Sequence, residues 1–162
     1  MVSSRRGLDI SHDVATEIKA AAVGAVPNET GGILLGWRAG SDVIVVGFAE
    51  IPPRDVRRAA YVLDARAANG ALEKFRRQAH DSRVGYVGSW HSHPLNLPPS
   101  ATDHATFRRA AQSTSAPLAF IVAVVNGESA SLRKFWVGRR CRSARDRRMC
   151  DLNARAIDVE SV

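Results

Sequence analysis

Three residues in the middle of the chain have the types and the spacing of a metal site. His91 and His93 lie two positions apart at the end of an apolar stretch, and Asp103 follows a short loop. Side chains two positions apart on a strand point to the same face, so both imidazoles can reach one ion. Two imidazoles and one carboxylate leave zinc with an open fourth position, which is typical of catalytic rather than structural zinc sites. The spacing therefore predicts a catalytic metal centre.

Each part of this motif also has a purely structural interpretation. A His-x-His pair on a strand often only packs or forms hydrogen bonds, and Ser100 can be the N-cap of a helix in which Asp103 completes a capping arrangement. Pro94 ends the strand, and Ser100 and Asp103 follow at a spacing that suits the start of a helix. This combination favours the metal site. The remaining histidines are interpreted as surface or packing residues: His12, His80 and His104.

The elements that must hold these residues alternate between helices and strands. They are predicted to be a helix from Ser11 to near Pro27, strands Gly31–Trp37 and Val43–Ala49, a helix Ala65–His80 capped by Asp64, a strand Val84–His93, a helix Ala101–Gln112, and strands Pro117–Asn126 and Ser129–Val137. Along the strand that ends at His93, strict alternation sets Tyr86, Gly88 and Trp90 against Val87 and Ser89. Hairpin-linked strands with helices between them favour an α+β or three-layer α-β-α domain with a mixed, largely antiparallel sheet.

The composition indicates one folded domain. The chain has 162 residues, of which 45% are apolar and 24% are charged, as in ordinary globular proteins. Residues 1–13 contain no apolar run of the kind found in a secretory signal, and the longest apolar stretch, Pro117–Val125, is too short to span a bilayer. A cytoplasmic location without membrane association is therefore expected. Cys141 and Cys150 are interpreted as reduced thiols because they form no recognisable disulfide or metal pattern.

Basic residues are concentrated near the C-terminus of a chain whose net charge is +7, with arginine and lysine crowding positions 133–148. Such a run can bind nucleic acid or an acidic protein. No aromatic residue interleaves it after Trp136, and arginine is enriched throughout the chain, so a solvated basic segment is favoured over a nucleic-acid site. We predict a core of residues 1–137 and a basic tail of residues 138–162 with a weak helical pattern.

Two motifs resemble those of the JAB/MPN/Mov34 metalloproteases, also called the JAMM or MPN+ family. The sequence His-Ser-His-Pro at 91–94 with Ser-x-x-Asp at 100–103 is similar to the JAMM motif. The family's second signature, a glutamate that leads into a glycine-rich apolar strand, is matched by Glu29 and residues 31–36. The resemblance spans roughly residues 10–137 and looks closest to the compact prokaryotic JAB branch. It implies a cytidine deaminase-like MPN core, in which helices flank a curved sheet.

The resemblance implies a role for each matching residue. His91, His93 and Asp103 would bind Zn²⁺ with water as the fourth ligand, and Glu29 would take a proton from that water and later give it to the leaving amine. Ser100 would donate a hydrogen bond to the oxyanion of the tetrahedral intermediate. Six residues separate His93 from Ser100, where the family usually has seven. The position of Ser100 therefore depends on how the shorter loop folds.

The resemblance also implies a substrate class and partners. Similar enzymes hydrolyse the peptide or isopeptide bond that follows the C-terminal tail of a ubiquitin-like or sulfur-carrier protein. Such a tail is extended and can pair with an exposed strand edge near the metal. Prokaryotic members often occur with ubiquitin-activating-like enzymes, so E1-like and E2-like enzymes are expected partners. These features imply a deubiquitinase-like isopeptidase.

Two other classes of function remain open on sequence grounds. Some members of the family bind no metal and only assemble complexes, so a non-catalytic MPN scaffold is one alternative, although this chain lacks none of the ligands. The basic tail makes a nucleic-acid-associated protein the other alternative. A cell-wall peptide is a less favoured substrate, because no export signal is recognisable in the sequence.

Overall fold

The computed structural model describes residues 7–55, 61–138 and 155–157, which form a mixed sheet with helices on both faces. In chain order the elements are β1 (Leu8–Ile10), α1 (His12–Ala25), β2 (Gly31–Ala39), β3 (Asp42–Glu50), α2 (Ala65–Gln78), β4 (Gly85–His93), α3 (Ala101–Ser113), β5 (Leu118–Asn126), β6 (Ser129–Val137) and β7 (Arg155–Ile157). The strands lie in the order β1-β3-β2-β4-β5-β6-β7. Strands β1 and β3 are parallel, as are β4 and β5, and the other neighbouring pairs are antiparallel. The predicted mixed, largely antiparallel sheet is confirmed.

Short-range signals in the sequence account for the starts of the helices and for the hairpins. Ser11, Asp64 and Ser100 are the N-caps of α1, α2 and α3, and each side chain accepts a hydrogen bond from a backbone N–H in the first turn. Gly40 and Gly127 have φ values of 62° and 63° in the turns that join β2 to β3 and β5 to β6. Glycine adopts this left-handed conformation without the steric penalty of a side chain. The predicted caps and hairpins are therefore confirmed.

The three helices divide between the two faces of the sheet, as the three-layer prediction requires. Helix α1 packs on one face against a continuous apolar cluster, here called the α1 cluster, which includes Ile18, Trp90 and Ile121. Helices α2 and α3 cover two separate clusters on the opposite face. The α2 cluster contains Ile33, Leu35, Ile51, Ala68 and Val84. The α3 cluster contains Phe107, Phe120, Val122, Val124, Phe135 and Val137.

The alternation predicted for the strand that ends at His93 is wrong at Val87 but holds from Gly88 onward. Tyr86 and Gly88 both have partners in β2, whereas Val87 between them has none, so β4 contains a β-bulge. The extra residue brings Val87 into the same α1 cluster as Trp90 and leaves Tyr86 exposed. A bulge depends on how two strands pair, and the residues of β4 alone do not reveal it.

Two edge strands have no counterpart among the predicted elements, and most of the basic tail lies outside the described residues. Strands β1 and β7 have three residues each, too few for a periodic pattern. Residues 139–154 and 158–162, which include both cysteines and most of the arginine run, lie outside the described residues. Within the predicted tail, residues 155–157 form the strand β7 and not a helix, whereas for the rest of the tail the helical pattern, like the boundary at residue 137, stays a prediction. In the described part of the chain, no helix is long and apolar enough to cross a membrane.

Candidate metal centre

The central strand β4 carries two of the predicted ligands on the face that α1 does not cover. His91 lies opposite Gly31 of β2 and Val122 of β5. Because β4 and β5 are parallel, the chain must cross over between them, and α3 forms that crossover. Helix α3 therefore begins beside the carboxyl end of β4, and Asp103 in its first turn reaches both His91 and His93.

The ligand atoms of these three residues lie within 4.8 Å of one another. The Nε2 atoms of His91 and His93 are 3.2 Å apart, and they lie 3.0 Å and 3.4 Å from Asp103 Oδ1 and Oδ2, respectively. Ligand atoms at about 2.0–2.1 Å from a tetrahedral zinc ion are about 3.3–3.4 Å from one another. The observed spacing is close to that of a tetrahedral site with three protein ligands, so the group could bind a metal ion.

Hydrogen bonds with other residues orient the candidate ligands His93 and Asp103. His93 Nδ1 lies 2.9 Å from the carbonyl oxygen of Leu97, and a proton on Nδ1 leaves Nε2 free to bind a metal. Asp103 Oδ2 accepts hydrogen bonds from the Ser100 N–H at 2.6 Å and from the Ser100 hydroxyl at 2.9 Å. The Asp103 N–H donates to Ser100 Oγ at 3.1 Å, which completes a capping box. Asp103 therefore caps α3 and also belongs to the ligand group.

The six-residue loop between His93 and Ser100 preserves the register that the site needs. Asn96 has a φ of 53°, in the left-handed region that asparagine tolerates better than most residues. Its N–H donates to the carbonyl oxygen of Val125 at 2.8 Å, which anchors the loop to the end of β5. The loop is one residue shorter than is usual in the family that the motifs resemble, and Asp103 still meets both histidines.

Glu29 lies on the same cleft as the three ligands. The cleft has a volume of about 780 Å³, and its lining includes Glu29, Tyr61, Ser100 and the three ligands. Glu29 Oε2 accepts a hydrogen bond from the backbone N–H of Tyr61 at 2.6 Å. All five site residues that the sequence predicts are therefore found around one cleft.

Comparison with known protein families decides which family the chain represents. The family model described as prokaryotic homologs of the JAB domain matches residues 11–138. The chain belongs to this family. The matched range contains Glu29, Ser100 and the whole ligand group, and the predicted resemblance to the prokaryotic JAB branch is confirmed.

Individual proteins also resemble this JAB-family chain. It is 33% identical over 116 residues to the CD-NTase/cGAS isopeptidase of Vibrio cholerae serotype O1, an alignment that covers 69% of this chain and 67% of the relative. A solution structure from Desulfitobacterium hafniense is 24% identical with a TM-score of 0.62, and covers 81% of this chain and 84% of that chain. One from Salinibacter ruber is 23% identical with a TM-score of 0.51, and covers 78% and 80%. Both solution structures share the fold.

Contacts within the candidate ligand group of this JAB-family chain shift the pKa values of His93 and Asp103. The hydrogen bond with Asp103 raises the pKa of His93 above its usual value, against the opposing effect of burial. Burial alone would raise the pKa of Asp103, but hydrogen bonds from His91, His93 and the Ser100 N–H outweigh it and hold that pKa well below its usual range. Asp103 is therefore ionised at neutral pH, as a carboxylate that binds a metal must be.

Thr30 and Ser92 support the site, although neither has a role among the predictions. The Thr30 N–H donates to Ser92 Oγ at 2.9 Å, and the Ser92 N–H donates to the Thr30 carbonyl oxygen at 2.8 Å. Both residues are buried, and the Thr30 hydroxyl donates to Glu50 Oε1 at 2.8 Å. Because Thr30 follows Glu29 and Ser92 stands between the two histidines, these bonds fix the backbone of Glu29 relative to the ligands.

Tyr61 also contacts the site without having been predicted. Its ring stacks on the His91 imidazole, with centroids 6.3 Å apart and planes inclined by 10°. Burial, and then the charges of Glu50 and Asp64, raise the pKa of Tyr61 to about 12. The hydroxyl therefore stays protonated at neutral pH, and it donates to the carbonyl oxygen of Ile51 at 2.7 Å. Tyr61 lies between β3 and α2 in a segment without periodicity, so the sequence contains no signal for these contacts.

Proposed function

We propose that this JAB-family chain is a zinc-dependent isopeptidase in which His91, His93 and Asp103 bind the zinc ion. The observation that carries the proposal is the convergence of two imidazoles and one carboxylate on a cleft that also contains Glu29. A His₂Asp set with an open fourth position is typical of catalytic zinc. The isopeptidase name of the Vibrio cholerae relative supports hydrolytic chemistry.

The donor set suits zinc better than it suits magnesium or calcium. Magnesium and calcium prefer oxygen ligands, whereas two nitrogens and one oxygen at tetrahedral spacing are a zinc-like set. When bound, the ion would polarise the scissile carbonyl group and lower the pKa of its water toward about 7. Proton transfer and substrate binding are then left to the residues of the chain.

Glu29 is the proposed general base and, later, the general acid. The Tyr61 N–H holds its Oε2 at 2.6 Å, while Oε1 accepts no hydrogen bond from the described part of the chain. That second oxygen can accept a proton from water and return it to the leaving amine. A carboxylate held through one oxygen has fewer orientations to lose when it reacts.

Ser100 is the proposed hydrogen-bond donor to the oxyanion of the tetrahedral intermediate. Its hydroxyl donates to Asp103 Oδ2 at 2.9 Å, so this role requires the hydroxyl to rotate from Asp103 toward the substrate carbonyl oxygen. Rotation about one bond of an exposed serine is sufficient, because a hydroxyl can both donate and accept. Asp103 would keep its hydrogen bond from the Ser100 N–H during this change.

The proposed scissile bond is the peptide or isopeptide bond after the C-terminal tail of a ubiquitin-like or sulfur-carrier protein. The name of the Vibrio cholerae relative specifies a CD-NTase as its target, so a CD-NTase conjugate is the first substrate to test. Exposed Leu95 and Leu97 line the cleft and can contact apolar side chains of an extended tail. E1-like and E2-like enzymes, which would form the conjugate, are the proposed partners.

The alternative functions have less support. A non-catalytic scaffold needs neither a complete ligand group nor a carboxylate held beside it, and this chain has both. Most of the arginine run lies outside the described residues, so the structure provides no argument for binding nucleic acid through it.

Metal analysis and cleavage assays together test the proposed function. Purified wild-type protein should contain near-stoichiometric zinc, and His91→Ala and Asp103→Ala should lose it while remaining folded. Wild type should cleave at least one member of a panel of ubiquitin-like fusions, sulfur-carrier fusions and a CD-NTase conjugate, and neither variant should cleave any.

His104→Ala is the matched control for these variants. His104 follows Asp103 on α3, but its ring packs edge-on against Phe107 and Phe135. This variant should keep both zinc and activity. A folded wild type that binds no zinc would contradict the metal assignment, whereas a zinc-loaded wild type that cleaves nothing in the panel would contradict the substrate class.

A further inference from the structure

Tyr61 lies between the proposed general base and one of the proposed metal ligands. Its ring is half-buried and nearly parallel to the His91 imidazole, at a centroid distance of 6.3 Å. An offset pair of this kind is within the range at which aromatic rings attract each other. Tyr61 thus contacts His91 although it lies outside the sheet.

Gly31 makes room for this ring. It is the cross-strand partner of His91, and a Cβ atom at this position would lie 2.7 Å from Tyr61 Cε1 and 2.8 Å from Tyr61 Cζ. The same Cβ would also overlap the carbonyl oxygen of Trp90. The absence of a side chain at Gly31 therefore allows Tyr61 to reach His91.

Three different groups of Tyr61 hold it in this position. The ring contacts His91, the backbone N–H donates to Glu29 Oε2 at 2.6 Å, and the hydroxyl donates to the Ile51 carbonyl oxygen at 2.7 Å. Ile51 is itself tied to β2, because its N–H donates to the Gly31 carbonyl oxygen at 2.7 Å. One residue therefore joins the start of β2, the end of β3 and the ligand strand β4.

We propose that Tyr61 is a positioning residue, whose backbone N–H orients the Glu29 carboxylate and whose ring fixes the plane of the His91 imidazole. Both parts rest on the proposed function, which assigns Glu29 as the base and His91 as a metal ligand. The plane of an imidazole sets the direction of its Nε2 lone pair, so a fixed plane favours metal binding in one geometry. Because both contacts come from a single residue, Tyr61 also sets the relative position of the base and the ligand. The Tyr61 hydroxyl donates a hydrogen bond to the Ile51 carbonyl oxygen, and we assign it no role in proton transfer.

Cobalt binding tests the contact with His91 without any substrate. Co²⁺ would be titrated into metal-free protein and its visible absorption followed for wild type, Tyr61→Leu and Tyr61→Phe. We expect Tyr61→Leu to bind Co²⁺ about 10–100-fold more weakly, as is typical when a group that orients a ligand is lost. Tyr61→Phe keeps the ring and the N–H, so its affinity should stay close to that of wild type.

Tyr86→Leu is the matched control for the cobalt titration. Tyr86 is exposed on the same strand as His91 but does not line the cleft, so its loss should leave Co²⁺ affinity unchanged. Wild-type affinity and spectrum in Tyr61→Leu would overturn the proposal. An equal loss of affinity in Tyr86→Leu would also overturn it, because the effect would then be a general one on β4.

The contact between Tyr61 and Glu29 can be tested by NMR in a protein that keeps Tyr61. This test does not depend on whether Tyr61→Leu folds. In a protein of 17.5 kDa the Tyr61 amide can be assigned, and a hydrogen bond to a carboxylate moves its proton resonance downfield. Glu29→Gln should move that resonance upfield, whereas Glu50→Gln, which neutralises a nearby carboxylate that does not bond to this N–H, should not. A Tyr61 amide that is unmoved in Glu29→Gln, or that moves equally in both variants, would overturn the proposal. Neither metal nor substrate is needed, so this result is distinguishable from a failure of the proposed isopeptidase activity.

Discussion

The two faces of the sheet differ in whether their apolar packing is continuous. On the α1 face, one continuous apolar cluster runs across the strands and includes Trp90, which is only 1% exposed. On the other face, the α2 cluster and the α3 cluster are separate, and His91 and His93 project from β4 between them. Strand β4 therefore places the core residue Trp90 on one face and the candidate ligands His91 and His93, which follow it closely in the sequence, on the other.

This difference explains how a stable domain can keep a polar, open site. The continuous apolar cluster stabilises the sheet from one face, so the cleft between the α2 and α3 clusters can stay open on the other face. The side chains of His91, His93 and Asp103 are 18%, 10% and 13% exposed. This low exposure protects their hydrogen bonds from solvent, while the cleft stays open to a substrate. Substitutions on the two faces should therefore separate stability from activity.

The largest expected effect is on the cleft face, where Glu29→Gln removes the proposed general base. We expect kcat to fall by about 10²–10⁴-fold on whichever fusion protein the wild type cleaves, because a positioned base contributes on this scale. Bound zinc and the urea midpoint should change little, since the glutamine oxygen can still accept the Tyr61 N–H. Single-turnover cleavage with parallel metal analysis measures both properties, and full activity in this variant would exclude Glu29 as the base.

On the α1 face we expect a loss of stability and not of catalytic activity, because Trp90→Ala leaves a cavity in the α1 cluster. Loss of a buried tryptophan side chain should reduce the free energy of unfolding by about 3–5 kcal/mol. Trp90→Phe is the control and should lose less, because it keeps a ring and removes an indole N–H that has no partner within the described residues. Urea denaturation measures the loss, and an unchanged midpoint in Trp90→Ala would mean that the α1 cluster is not the main source of stability.

Ser100 is expected to affect both stability and activity, because it caps α3 and is also the proposed hydrogen-bond donor to the oxyanion. Ser100→Ala should lower kcat by about 10²–10³-fold and should also reduce stability by about 0.5–2 kcal/mol through loss of the cap. Ser100→Gly should lose the same activity with less destabilisation, since glycine is a tolerated N-cap. Ser11→Ala removes the cap of α1 and should leave kcat unchanged. Equal kcat in Ser100→Gly and wild type would restrict Ser100 to capping.

Ser92 lies between His91 and His93 on β4 and is hydrogen-bonded to Thr30, and a smaller effect is expected there. Ser92→Ala leaves the buried Thr30 N–H without its acceptor, which should reduce the free energy of unfolding by about 1–3 kcal/mol. Activity should fall as well, because Glu29 follows the backbone of Thr30. Ser131→Ala, at an exposed position of β6, is the control and should change neither property. Unfolding curves and cleavage rates for the two variants provide the comparison.

The smallest effect is expected at the ion pair of Asp81 and Arg83, in the turn before β4 and outside both faces. Hydrogen bonds from Arg83 lower the pKa of Asp81 from 3.8 to about 2. The pair therefore stabilises the fold above the ordinary pKa, and this contribution is lost as the pH falls through about 2. Asp81→Asn should lower Tm slightly at pH 7, and its difference from wild type should shrink below about pH 4. A difference that grows on acidification would contradict this assignment.

The parts of the fold that short-range patterns specify agree with the prediction. Alternation along β4 sends His91 and His93 to one face, and the capping residues Ser100 and Asp103 start α3 at the position that the ligand group needs. The hairpins and the three-layer arrangement also follow from local patterns of apolar residues and turns. Local patterns did not reveal the bulge at Val87, because a bulge is a property of the pairing of β2 with β4.

The sequence by itself determined the identity of the candidate ligands, the helix caps and the order of the main elements, since each depends on residues within one turn or one strand. Only the tertiary structure decided what holds the site together. Thr30 meets Ser92 across 62 positions and Tyr61 meets Glu29 across 32, and these contacts exist because β2 pairs with β4 and the Tyr61 ring lies over Gly31. Side chains with no local pattern become partners only when the packing of distant strands brings them within hydrogen-bonding distance.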